Sequence, residues 1–120
     1  MKFMVLVKAT KDSEKGVMPP EKLLAEMGGY HEELAKAGVL VDGSGLQPSS
    51  KGWRIKYSKG QRSFVDGPFA ETKECLAGFY LVEARDLNEA IQLAARIPPA
   101  ALGSIEVRPI RPIRETAAHG

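Results

Sequence analysis

At 120 residues, with 43% hydrophobic and 27% charged side chains, the chain has the size and composition of one globular domain. Its 17 basic and 15 acidic residues are interspersed and sum to +2, which makes no electrostatic case for a nucleic acid or an anionic membrane as partner. No apolar run approaches the ~20 residues of a bilayer span, and one cysteine, Cys75, excludes an internal disulfide and suits a reducing cytoplasm.

The chain opens on an apolar run, Phe3 to Val7, with no cleavage-site pattern, and reads as a first strand rather than a signal peptide. Residues 11–16 are polar and turn-like. Pro19 and Pro20 introduce a helix, because proline in the first turn lacks only an N–H that had no partner there. Leu23, Met27, Tyr30 or His31, and Leu34 recur at helical spacing as one apolar stripe, and Gly38 ends it. Gly28 and Gly29 sit inside that helix, where each costs about 1 kcal/mol against Ala; close packing on a sheet would account for them. Residues 39–41 form a short second strand and residues 42–48 a loop.

Residues 53–57 alternate Trp, Ile and Tyr with Arg and Lys, a half-exposed strand that turns over residues 58–61 and returns through residues 62–65. Residues 76–82 give the strongest strand signal. Asp86 and Glu89 form a capping-box-like start to a second helix striped by Leu87, Ala90, Ile91, Ala94 and Ile97. Residues 105–110 are the last strand. One domain over residues 1–114 is expected, with residues 115–120 as a flexible C-terminal tail.

The order β-α-β, hairpin, β-α-β predicts an α+β fold: a ferredoxin-like split β-α-β sheet with an inserted β-hairpin and both helices on one face. Ala77, Phe79 and Leu81 face one way along their strand and Leu76, Tyr80 and Val82 the other, while Phe3, Val5 and Val7 oppose Met4 and Leu6. Both faces are apolar, and two helices cover only one. The second face predicts a homodimer packed sheet against sheet; the alternative is that the hairpin folds over it within one chain.

Chemistry-bearing residues concentrate in Asp66-Gly-Pro-Phe-Ala-Glu-Thr-Lys-Glu74. Asp-Gly-Pro is a turn signal in its own right. The residues after it exceed what a turn requires, and Asp66 beside a cleft could act as a general base if burial raised its pKa. His31 lies on or beside the helical stripe and would suit proton transfer if Asp42 or Asp66 faced it; a core or interface histidine is the competing account. Asp42 opens a Gly-Ser-Gly loop at a strand end, and Tyr80, with Trp53 and Tyr57, could line an apolar pocket or simply pack a strand. His31 and His119 offer no metal-ligand spacing, and Cys75 reads as partly buried and inert.

The nine-residue segment, followed by Gly78-Phe-Tyr80, resembles the signature of the YCII-related (DGPF) family. The opening strand, Leu-Ala-Lys-Ala-Gly38, Gly45-Leu-Gln-Pro48 and Gly103-Ser-Ile-Glu-Val-Arg-Pro109 fit the same pattern, so the likeness covers nearly the whole chain. The resemblance implies a dimeric α+β barrel with a cleft near the DGPF segment. It also implies related enzymes acting on ring compounds, with a His and an Asp proposed for proton transfer, and an association with extracytoplasmic-function sigma factors. In the members where that His is proposed it stands about one turn earlier, where Met27 stands here. The expectation is therefore a small-molecule pocket lined by Gly67, Pro68, Phe69, Glu71, Lys73, Glu74 and Tyr80. Cofactor-independent acid–base chemistry would fall to Asp66, His31 and Asp42. A non-catalytic ligand-sensing or sigma-factor-associated module is the second expectation.

Overall fold

A computed structural model describes residues 1–69, 74–98 and 103–111. In chain order the elements are β1 (Lys2–Lys8), α1 (Lys11–Glu14), α2 (Glu21–Lys36), β2 (Leu40–Gly45), β3 (Trp53–Ser58), β4 (Gln61–Asp66), β5 (Leu76–Glu83), α3 (Leu87–Ala95) and β6 (Ile105–Pro109), with a 3-10 turn at Ser49–Lys51.

Four strands make the main sheet in the order β2-β5-β1-β6, each antiparallel to its neighbour. β1 and β2 are therefore parallel with β5 between them, and β5 and β6 are parallel with β1 between them. This is the split β-α-β arrangement that the order of elements predicts. Alternation along β1 and β5 sorts their side chains onto two faces. Phe3, Val5, Val7, Tyr80 and Val82 are buried in one core with Tyr30 and Leu34 of α2 and Ala90 and Ala94 of α3. Met4, Leu6, Phe79 and Leu81, on the opposite face, are only half-buried.

Local chemistry sets the helix ends. α2 follows Pro20, whose φ of −56° and ψ of 149° keep it outside the helix. It closes in a Schellman turn: Gly38 N–H donates to the Ala35 carbonyl and Val39 N–H to the Leu34 carbonyl, with Gly38 at φ 74°. α3 is capped by Asp86, whose carboxylate accepts from Glu89 N at 2.9 Å. The Glu89 carboxylate reaches back past the cap to the backbone N–H and the guanidinium of Arg85. The helices are joined where the Tyr30 hydroxyl donates to the Leu93 carbonyl and Arg96 pairs with Glu33.

Four sequence expectations change. Residues 42–45 belong to strand β2 rather than a loop, because their backbone pairs with β5. The polar stretch after β1 contains the helix α1, opened by a reciprocal capping box between Thr10 and Ser13. Gly28 and Gly29 are exposed, with open space where a Cβ would stand, so packing against the sheet does not explain them. Leu87 and Ile91 of the α3 stripe are exposed, while Ala90, Ala94 and Ile97 carry its contact with the core.

The hairpin turns at Lys59 and Gly60, both at positive φ. Every residue of β3 and β4 is exposed. The hairpin stands off as an arm and does not fold over the open face of the main sheet. The described residues span 47 × 46 × 19 Å. The proposed tail, residues 115–120, lies outside the described residues.

Candidate functional site

The segment Leu46 to Pro48 separates two depressions, each of about 580 Å³, and contributes to both. The first is apolar and lies between α2 and the edge strand β2. Leu24, Met27 and His31 of α2 form one wall, Gly43 and Tyr80 of the sheet another, and Val17 and Met18 the lip. Met18 is 72% exposed and Val17 54%, so the rim is apolar and open to solvent.

The polar residues lining this cavity are Ser13, His31, Ser44, Gln47 and Tyr80, and two of them carry rings. The His31 and Tyr80 rings lie 6.1 Å apart between centroids, tilted by 49°. Tyr80 is 9% exposed, and burial pushes its phenol pKa up, so the hydroxyl is a neutral donor through the physiological range. Among the described residues neither the Tyr80 hydroxyl nor the His31 imidazole makes a hydrogen bond, and no buried side-chain nitrogen or oxygen is left without a partner. The Tyr80 hydroxyl, lacking a partner yet not sealed in, therefore keeps access to solvent on the wall of this cavity. Tyr30, packed against Tyr80, has spent its hydroxyl on Leu93. Gly43 leaves space beside both rings: a Cβ there would meet His31 Cε1 and Tyr80 Cδ2 at 3.5 Å each, ordinary contact distance.

The second depression is bordered by Ser49, Lys51, Arg54, Phe69, Glu74 and Cys75. Here the DGPF segment fastens the arm to the body. Gly67 N–H donates to the Gly52 carbonyl at 3.0 Å, and the Gly67–Pro68 peptide is cis. Phe69 N–H donates to Ser49 Oγ at 3.0 Å. Ser49 in turn donates its backbone N–H, at 2.9 Å, and its hydroxyl to the Glu14 carboxylate. The Arg54 guanidinium lies 4.0 Å from the centre of the Phe69 ring, within cation–π range. Cys75 is buried; burial first, and then the Glu14 carboxylate, push its thiol pKa up, the reverse of a reactive thiolate.

The structure thus divides the sequence-based site. His31 and Tyr80 converge on the apolar cavity. Phe69 and Glu74 border the second depression, while Asp66, Gly67 and Pro68 line neither. Asp66 is exposed at the end of β4, and its carboxylate makes no hydrogen bond or ion pair among the described residues. Asp42 pairs with Leu81 in the sheet register, whereas Gly43 pairs with Tyr80. Asp42 therefore sits on the face opposite His31, and its carboxylate accepts from Gly43 N at 2.8 Å. Glu71 and Lys73 lie outside the described residues. Among the described residues no group of three His, Cys, Asp or Glu side chains could hold a metal ion, and no helix is long and apolar enough to cross a membrane.

The model of the YCII-related domain matches residues 1–114. The chain belongs to the YCII-related family. An uncharacterized protein of Rhizobium meliloti (strain 1021) is 36% identical over 92 residues, 75% of this chain and 74% of that protein. A solved structure similar to this chain is 5-chloro-2-hydroxyhydroquinone dehydrochlorinase of Burkholderia phenoliruptrix AC1100, in complex with 2,5-dihydroxybenzoquinone. It is 14% identical with a TM-score of 0.49, over 92% of this chain and 94% of that one.

Two parts of this YCII-related chain escaped the reading of its sequence. The cavity lip is built by Val17 and Met18, an apolar pair in an otherwise polar stretch, and that incongruity was the available signal. The partners of the DGPF segment, Ser49 and Arg54, and Glu14 behind Ser49, are distant in sequence and carry no local signal.

Proposed function

We propose that this chain is a small-molecule-binding homodimer whose ligand site is the apolar cavity between α2 and β2, and that His31 and Tyr80 handle the ligand's polar atom. The observation that carries the reading is the convergence, from two walls of one largely apolar cavity, of a helix imidazole and a strand phenol whose hydrogen-bonding capacity the chain itself leaves unspent. A neutral Tyr80 hydroxyl suits donation to a ligand oxygen. His31 suits accepting or returning a proton, since imidazole is the side chain that changes charge near neutral pH. The arrangement therefore supports cofactor-independent acid–base chemistry on a compact, largely apolar molecule bearing a hydroxyl or carbonyl. DGPF, on this reading, holds architecture in place rather than reacting.

The test uses hydroxylated monocyclic aromatics, catechol and hydroquinone, as probes. The Cε1–H resonance of His31 is followed by NMR, with His119 as the control. Saturable movement of the His31 signal, weakened in Tyr80→Phe, is the expected result, with probe affinity by titration calorimetry falling in His31→Gln. Binding that leaves His31 unmoved, or no binding by any probe, sinks the proposal.

The homodimer is supported by the half-buried apolar face of Met4, Leu6, Phe79 and Leu81, over which the hairpin does not fold. Sedimentation showing single subunits at micromolar concentration would overturn it.

A further inference from the structure

We infer that the β3–β4 arm is a clasp, its aromatic face packing on a second copy of this chain across a two-fold axis. The inference rests on the dimer proposed above and assigns it a second contact. Cross-strand pairing of Ile55 with Phe64, together with the strand alternation, puts Trp53, Ile55, Tyr57 and Phe64 on one face of the arm, with Arg62 opposite Tyr57 and Asp66 opposite Trp53 at its two ends. These side chains are 63%, 45%, 73% and 65% exposed. The reverse face carries Arg54, Lys56 and Ser63, with Val65 its one large apolar residue. A two-stranded ribbon standing free in water is marginal at best, and this one displays its apolar side to solvent within the single chain.

The arm is nevertheless held at its root. The Gly67, Phe69, Ser49 and Glu14 hydrogen bonds fix the base of both strands, and Arg54 stacks on Phe69. A rigid base with an uncovered aromatic face is the form of a pre-organised contact, one that loses little freedom on docking.

Area favours a second copy as the occupant. Three aromatics exposed to this degree offer roughly 400 Å² per arm. A two-fold uses that patch twice and covers an equal area on each receiving chain, about 1,600 Å² in all, the size of a stable specific interface.

Trp53 is the only tryptophan in the chain, so intrinsic fluorescence reads the arm directly. At a concentration where sedimentation shows dimers, Trp53 should emit to the blue of N-acetyltryptophanamide and resist acrylamide. Dilution to monomers should raise its quenching several-fold. The double variant Tyr57→Ser, Phe64→Ser should weaken dimerisation at least tenfold while leaving the circular dichroism of the folded chain unchanged. A dimer in which Trp53 is as accessible as free indole overturns the clasp and leaves the dimer standing. Monomers at every concentration overturn both. Trp53 shielded in a monomer means the arm folds back on its own chain, and protection that appears only with added oligonucleotide assigns the arm to nucleic acid; either result removes the clasp.

Discussion

A Cβ built on Gly67 would stand 1.6 Å from the Ser49 carbonyl oxygen, so the backbone of the DGPF segment lies directly against the turn at the foot of the arm. No rotamer relieves such an overlap, because the obstacle is backbone. Gly67→Ala should destabilise the protein by roughly 3 kcal/mol, at the upper end for an overpacked site. Urea unfolding followed by circular dichroism measures this; a loss under about 0.5 kcal/mol would mean that the two segments part easily.

Ser49 both accepts from Phe69 N–H and donates to Glu14. Ser49→Ala removes both bonds and leaves a half-buried N–H without its acceptor, at a cost of about 1–2 kcal/mol. Hydrogen exchange locates the effect: the amides of β3 and β4 should lose protection ahead of those of β1 and β5.

Two tyrosines that touch each other separate fold from ligand. Tyr30 and Tyr80 meet edge to face, with centroids 6.1 Å apart, yet only the Tyr30 hydroxyl is hydrogen-bonded. Tyr30→Phe should cost about 1 kcal/mol of stability, whereas Tyr80→Phe should change stability by less than about 0.5 kcal/mol. Tyr80→Phe should instead weaken probe binding about tenfold, as removal of one ligand hydrogen bond does. Thermal melts and titration calorimetry on the two variants check both halves.

Alkaline pH tests the same buried layer. Burial pushes the Tyr30 pKa up to about 12 against an ordinary 10.0, with Arg96 opposing the shift. Between those values the unfolded chain has released the phenol proton and the folded chain still holds it, so stability falls as pH rises. That contribution should be intact below pH 10 and disappear by about pH 12. Tyr30→Phe should flatten the slope in urea unfolding measured across this range, leaving a smaller decline in the same direction from Tyr80.

What the sequence made legible was periodic. Alternation in β1 and β5 announced a sheet apolar on both faces, and the Leu23, Met27, Tyr30, Leu34 spacing announced α2. Strand β2 was cut short because Gly43, Ser44 and Gly45 lack the bulk that marks a strand. Their role is set by a neighbour, through pairing with Tyr80, Phe79 and Gly78. The candidate site was half legible for the same reason. His31 and Tyr80 could be singled out by type, but that Asp42 sits on the face away from them follows from a one-residue register irregularity between Leu40 and Asp42. The meaning of the DGPF segment was hidden because Ser49 reaches it from 20 residues away, and Glu14 holds Ser49 from another 35.

Gly43 gives the cavity an adjustable depth. The space beside it would receive a methyl group at ordinary contact distance from His31 and Tyr80, without forcing the sheet apart. A single added carbon would thus make the chamber shallower while the scaffold around it stayed as it is. On the proposed reading, the fit of a ligand would then change at this one strand position, leaving the arm, its fastening and the helices untouched.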